Sequence, residues 1–380
     1  MTAVPGMPGA PDEAPGTEAR TEARTEARES GSSLRAPHHR EAQGRRFRAR
    51  LAVLGYRAGA WILGHLPLGP ATRVGGWIAV TVYWAWPAKR RYVRANAARV
   101  LGVAPNDRRV GHLARAVFRN QVRWVLELMR LSRLSQAGRI AQIGDSAVEP
   151  VNTAWRESNG LIMVGAHLGN NEAAAAGLAG RGLPFHAVAD DTAYEELFAH
   201  LDRERRSWGI GQIPWRNLRG VFRVLRRREI VVLLVDWGYR PDGIPVRFFG
   251  TWTRLPAGPA VLAAKTGATI LPFWVIRSEG RHAAAVGKRI TVASMEPAEL
   301  ARATQEIAAA LEAGIRLAPE QWCVFKPIWP DDPGEVARLE SIAETPSEMA
   351  TGAGAGTTPG AAAPPKPAGG GHDGVAGAGA

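Results

Sequence analysis

The chain reads as an α/β protein: a sheet covered on both faces by helices, entered through an amphipathic helical segment. Three observations predict this. Between residues 160 and 317, short apolar runs alternate with patterns of helical period, the mark of strands and helices in turn. Ahead of them, residues 107–134 carry apolar side chains at helical spacing. And 380 residues, 46% hydrophobic and 22% charged, suffice for one large core or two small ones.

Taken in order, residues 1–44 hold Pro and Gly, then Thr-Glu-Ala-Arg at 17–20, 21–24 and 25–28, with almost no large apolar residue. Such a segment cannot repay its ordering entropy and is expected to be a disordered tail. No basic start followed by an apolar run marks a secretory signal. Residues 344–380, rich in Gly, Ala, Pro and Thr without an aromatic side chain, are expected to form a second disordered tail. Arg45, Arg46, Arg48, Arg50 and Arg57 precede an apolar stretch running from Trp61 to Trp86, and Lys89, Arg90, Arg91 and Arg94 follow it. Pro67, Pro70 and Arg73 divide that stretch. Its longest uninterrupted part, Val74 to Trp86, has 13 residues, short of the roughly 20 a spanning helix needs. Two readings stand for Trp61, Trp77, Trp84 and Trp86: insertion at a membrane's headgroup boundary, or packing within the domain's own helical layer. Val110, Leu113, Ala116 and Val117, then Trp124, Val125, Leu128 and Met129, predict one or two amphipathic helices. Strands are predicted at 160–165, 185–189, 230–235, 268–276 and 289–292, and helices at 171–181, 192–208, 216–228, 257–266 and 297–317.

Lys and Arg number 48 against 35 Asp and Glu, a net +13 with a pI of about 10.8. Each tail carries a net −2, which leaves +17 on residues 45–343. That charge predicts attraction to something anionic: a phospholipid surface, nucleic acid or a phosphorylated cofactor. No zinc finger, homeodomain-like helix or RNP aromatic pair is present, so nucleic acid is not an expected partner. The single cysteine, Cys323, excludes an intramolecular disulfide framework and any metal site built from several cysteines.

The chemistry-bearing stretch follows the first predicted strand: Gly165-Ala-His167-Leu-Gly169-Asn-Asn-Glu172, then a helical run from Ala173 to Ala179. In open α/β sheets, reactive groups gather where a strand's carboxyl end turns into a helix. An imidazole there can act as a general base near neutral pH, and Glu172 at the start of the helix is expected to hold its other ring nitrogen. A separation of five does not stack two residues on one helix face, so Leu168 to Asn170 must form a turn, which Gly169 and Asn170 suit.

This motif stands in an ordered set of blocks: Leu66-Pro67 and Arg94-Ala-Asn96, His167-Leu-Gly-Asn-Asn-Glu172, Arg206-Ser-Trp-Gly209, Leu234-Val-Asp236, Phe248-Phe-Gly250, Leu255-Pro-Ala-Gly-Pro-Ala260, and Pro319-Glu-Gln-Trp322 with Trp329. In them the sequence resembles the bacterial membrane acyltransferases that include the lipid A late acyltransferases and, more closely, the phosphatidylinositol mannoside acyltransferases. The likeness covers most of 45–330. It implies a central mixed sheet flanked by helices, as in glycerolipid acyltransferases, preceded by amphipathic membrane-associating helices. Residues 45–343 then form one membrane-associated acyltransferase domain, with a helical lead at 45–135 and an α/β body at 136–343.

The resemblance also implies a reaction. His167 deprotonates an acceptor hydroxyl, whose oxygen attacks the thioester of acyl-CoA, a co-substrate, and a thiolate leaves; no metal or redox cofactor is needed. Arg206, Asp236, Arg254 and Gly258 match positions near the family's substrate site. Read without the family, Arg206 is equally a surface arginine, Asp236 equally a cap on the turn into Trp237-Gly238, and Arg254 and Gly258 belong to a strand end, a loop and a close-packed helix start. The expected acceptor is a membrane glycolipid, a phosphatidylinositol mannoside before a lysophospholipid or another glycolipid. The expected location is the cytoplasmic face of the plasma membrane, held peripherally on its anionic surface. Three positions depart from close relatives: Glu172 stands where they favour Asp, Asn171 stands where they often have Trp, and Ile244-Pro245-Val246 lacks a Glu that in some mannoside acyltransferases assists the histidine, a relay for which Asp236 or Asp242 is the available substitute. These departures keep open a competing reading, a lipid-binding paralogue without turnover, against which His167 and Glu172 both argue.

Overall fold

The computed structural model describes residues 54–344, apart from 56, 60, 63–66, 190–194, 216 and 279. The expected tails, up to residue 44 and beyond Glu344, lie outside the described residues, as do Arg45, Arg46, Arg48 and Arg50.

Three long helices lead the fold: α1 (Leu68–Ala85), α2 (Pro87–Leu101) and α3 (Arg108–Leu131). Proline decides the first break. Trp86, at φ −120° and ψ 72°, is driven out of the helical region by Pro87, which itself starts α2. Gly102 closes α2 in the left-handed conformation at φ 64°, and the Asp107 side chain opens α3 by accepting the Arg109 amide at 2.8 Å. The three pack around Ala79, Tyr83, Val93, Ala114, Val117 and Phe118. On the opposite side of α1, Val74, Trp77, Ile78 and Trp84 are exposed, Trp77 to 79%. Trp61 and Trp86 are exposed as well, so none of Trp61, Trp77, Trp84 and Trp86 is a core residue of the helical layer. No helix among the described residues is long and apolar enough to cross a membrane.

After α4 (Gln136–Ala141) and α5 (Val148–Arg156), strands and helices alternate: β1 (Leu161–Gly165), α6 (Asn171–Ala179), β2 (Phe185–Ala189), α7 (Glu195–Ser207), β3 (Gly211–Pro214), α8 (Leu218–Arg226) and β4 (Ile230–Leu234). A hairpin of β5 (Ile244–Phe248) and β6 (Thr251–Leu255) follows, then α9 (Gly258–Thr266), β7 (Thr269–Ser278), β8 (Arg281–Val286), α10 (Pro297–Leu317) and α11 (Pro333–Glu344). Six strands form one sheet in the order β3-β2-β4-β1-β7-β8. The pairs up to β7 are parallel, and β8 returns antiparallel, so the sheet is mixed.

Strand alternation sorts the core into two layers. Ile162 and Val164 face α8, α9, α10 and the hairpin; Leu161 and Met163 face α5, α6 and β8. A strand expected at 289–292 is reduced to a single bridge between Ile270 and Ile290.

Candidate active site

The parallel pairing of β1 with β4 builds the site. Gly165 stands opposite Leu234, so two residues further on His167 and Asp236 leave neighbouring strands at the same level, at their carboxyl ends. The imidazole and the carboxylate meet. Nδ1 of His167 lies 2.6 Å from Oδ1 of Asp236, while the His167 main-chain amide donates to Oδ2 at 2.8 Å. The Trp322 indole donates to the same Oδ2 at 2.7 Å. Asp236 is 1% exposed, and the His167 side chain retains 29% exposure. Burial pushes the Asp236 carboxyl up, but the facing imidazole and the three hydrogen bonds outweigh it and hold the group below the usual carboxylate range. The opposite ring nitrogen, Nε2, has no part in this pairing. The Trp237 indole tilts over the imidazole with centroids 4.7 Å apart, and the Lys326 ammonium lies 4.4 Å from that indole.

The turn between β1 and α6 has the shape that the motif's spacing requires. Gly169 takes φ 65°, where a Cβ would come within 2.1 Å of the Val275 carbonyl oxygen, so only glycine fits. Asn170 caps α6 by accepting the Ala173 amide at 3.0 Å. Behind Asp236, the blocks Phe248-Phe249 and Trp322…Trp329 converge. Phe248 stacks on Trp329 at 5.6 Å, and Phe249 on Trp322 at 6.3 Å.

Glu172 stands elsewhere than expected. Its carboxylate pairs with Arg205, with Nε at 3.1 Å from Oε2 and Nη2 on Oε1, and Arg205 also reaches Gln212 Oε1 at 2.8 Å. The partner of Nδ1 is therefore Asp236, and Glu172 instead ties α6 to α7 and β3. Helical phase explains why Arg205 and not Arg206 turns inward: Leu201, Arg205 and Trp208 share one face, and Trp208 is 4% exposed. Arg206 projects outward, 61% exposed, and pairs with Asp202 at 2.9 Å.

Arg254 faces Pro245 across the hairpin, is buried, and donates Nη1 to the Gly243 carbonyl at 2.8 Å. Gly258 opens α9, with open space where a Cβ would project. None of Arg206, Arg254 and Gly258 bonds to the His167–Asp236 pair. Asn171 turns back to the Ala166 carbonyl at 2.9 Å. It borders an apolar cavity between α6 and the sheet, lined by Met163, Leu178, Phe273 and Val275 among others. The cavity's free volume is about 30 Å³, room for about one water molecule. Among the described residues, no three His, Cys, Asp or Glu side chains cluster as a metal ion would need.

Sequence reasoning did not single out Trp322 and Trp237 as neighbours of the base, nor Arg205. For Arg205 the signal was present in the period of α7, and Trp237 directly follows Asp236; for Trp322 there was none, because 86 residues separate it from Asp236.

Residues 44–330 match the family model of bacterial lipid A biosynthesis acyltransferases. The chain is 28% identical over 281 residues to the phosphatidylinositol mannoside acyltransferase of Mycolicibacterium smegmatis, covering 73% of this chain and 90% of that protein. It is 29% identical over 268 residues to that of Mycobacterium tuberculosis, covering 68% of this chain and 83% of the relative.

Proposed function

The chain belongs to the bacterial lipid A biosynthesis acyltransferase family, and from that premise we propose that it moves a fatty acyl group from acyl-CoA to a hydroxyl of a membrane glycolipid, a phosphatidylinositol mannoside. The observation that carries the reading is the His167–Asp236 pair at the ends of two adjacent parallel strands, with Nε2 left to face a substrate. With Nδ1–H donated to Asp236, Nε2 takes the acceptor's hydroxyl proton. The freed oxygen adds to the thioester carbonyl, and the tetrahedral intermediate collapses with loss of the coenzyme A thiolate, which takes the proton from the imidazolium. One ester forms as one thioester breaks. Asp236 keeps the tautomer and stabilises the imidazolium, and Trp322 keeps Asp236 in place. No metal or redox group enters this sequence of steps.

The acceptor reading rests on the names of the relatives. The membrane reading rests on exposed Trp61, Trp77, Trp84 and Trp86 beside Lys89, Arg90, Arg91 and Arg94. Indole suits the half-wetted boundary, and basic side chains suit anionic headgroups; the domain then sits peripherally on the cytoplasmic face of the plasma membrane. The test supplies purified protein and His167→Ala with acyl-CoA and, separately, a phosphatidylinositol mannoside or a lysophospholipid, and follows products by mass spectrometry. Ester on the mannoside with a loss of about 10²–10⁴-fold in the variant is the expected result. Equal turnover by the variant removes His167 from the mechanism, and product on the lysophospholipid alone replaces the acceptor.

A further inference from the structure

A second buried carboxylate lies against the same turn and takes no part in the His167–Asp236 pair. Glu127, near the end of α3, is met from four sides. Arg277 on β7 grips it with two bonds, Nε to Oε1 and Nη2 to Oε2, both 2.8 Å. Arg123 Nε donates to Oε1 at 3.0 Å, Asn170 Nδ2 donates to Oε2 at 3.1 Å, and His282 Nε2 stands 3.7 Å from Oε2. The Glu127 side chain is 11% exposed and that of Arg277 8%. Burial raises the Glu127 carboxyl, and the Arg277 bonds and charge more than offset this, so it stays ionised below its ordinary range. A buried ion pair adds little net stability, because desolvation cancels most of its attraction. What this one supplies is fixed geometry.

The remaining bonds lead to the base. The Arg277 main chain pairs with the Gln321 side chain, N to Oε1 at 2.7 Å and Nε2 to O at 3.1 Å. The Gln321 carbonyl accepts the Gly169 amide at 3.1 Å, and the Cys323 amide donates to the His167 carbonyl at 2.9 Å. Asn170, fully buried, works at both ends: its oxygen caps α6 and its amide reaches Glu127. Turn 167–170 is thus pinned to α3, to β7 and to the segment around Gln321.

We propose that Glu127 is a positioning residue for the acyl transfer, holding the His167 turn in register with Asp236 through Asn170 and Arg277. The proposal rests on His167 being the general base. Bonds of 2.8 and 2.6 Å from His167 to Asp236 leave little slack, and a misplacement of about 1 Å at a reacting group costs about 10²-fold. Helix α3 of the lead is then part of what aims the base.

Two variants cut the link differently. Asn170→Ser keeps a capping oxygen but loses the amide that reaches Glu127; Glu127→Gln removes the charge that Arg277 and Asn170 share. Thioester turnover is measured with acyl-CoA, alongside thermal melting and the low-field NMR resonance of the His167 Nδ1 proton, the one shared with Asp236. The His282 ring, which faces Glu127, Arg277 and Arg123, is followed as a separate signal. For folded Asn170→Ser, kcat is expected to fall about 10- to 100-fold with KM changed less than about two-fold. The Nδ1 proton resonance is expected to move upfield as the bond to Asp236 lengthens. The double variant should be no slower than Glu127→Gln alone, since both changes break one connection. Wild-type kcat per folded molecule and an unmoved Nδ1 proton resonance in both single variants would overturn the proposal. An inactive His167→Ala beside two unaffected variants removes only the role of Glu127, whereas an active His167→Ala removes the base and the proposal with it.

Discussion

At His167 the decisive atom is Oδ1 of Asp236. A neutral imidazole can carry its proton on either nitrogen, and only the Nδ1–H tautomer leaves Nε2 free to accept one. Asp236→Asn presents an amide that can donate to Nδ1 and so favours the wrong tautomer. Its kcat is expected to drop about 10³–10⁴-fold with little change in KM, read from initial rates at saturating acyl-CoA. Glu172→Gln separates the two carboxylates of the motif region. It leaves His167 paired and weakens the tie between α6 and Arg205, so it should lower the melting temperature more than it lowers kcat per folded molecule. The opposite pattern would restore Glu172 as the orienter. His167 itself was legible in the chain, because a strand-to-helix turn advertises its polar residues. Its partner was legible only as one of two substitutes, Asp236 or Asp242, for a missing glutamate, since a hydrogen bond between residues 69 apart is written in the register of β1 with β4 rather than in local spacing.

Helices were the most legible elements. Runs expected at 171–181, 257–266 and 297–317 appear as Asn171–Ala179, Gly258–Thr266 and Pro297–Leu317, because caps and a 3.6-residue period are local. Short or half-covered strands were less so. Gly211–Pro214 spans four residues, and the antiparallel return at Arg281–Val286 is half alanine, neither long enough nor branched enough to signal a strand. The β5–β6 hairpin lacks the usual Asn-Gly or Asp-Gly turn. Its two loop residues are Phe249 at φ 48° and Gly250 at φ 75°. A left-handed phenylalanine costs about 1–3 kcal/mol. It is retained by stacking on Trp322, by the Arg316 guanidinium 4.9 Å from its ring, and by donating its amide to Glu312 at 2.6 Å. Helix α1 carries the element-scale prediction. Trp77→Ala combined with Trp84→Ala removes two side chains exposed to 79% and 61%, so binding to anionic vesicles should weaken markedly while the melting temperature moves by less than about 2 °C. A large fall in melting temperature with unchanged vesicle binding would return these residues to packing.

Across the whole molecule, acid should unfold the protein in two stages. Burial holds His186 and His282 below the ordinary histidine value, with Glu229 and Glu127 only partly offsetting it. The unfolded chain therefore takes up more protons than the native one as pH falls below about 6.5. That stability is lost first. Asp236 and Glu127 are held low in the fold, so their share is present above the usual carboxylate range and disappears as pH falls from about 4.5 towards their native values. Urea midpoints taken from pH 8 to pH 3 should show one shallow decline and then a steeper one; a flat midpoint between pH 7 and 5 would contradict the histidine stage.

The outer margins of the main sheet bear on how copies of this protein meet. At one side β3 ends after four residues in Pro214, which has no amide to offer. At the other, β8 is partly occupied by the bridge from Ile143 to His282. Naked strand borders recruit further strands, and truncation or cover blunts that recruitment. Concentrated or refolding samples should therefore clump through greasy helix surfaces, a stickiness that detergent dissolves, rather than through fibril-like β stacking that detergent leaves intact.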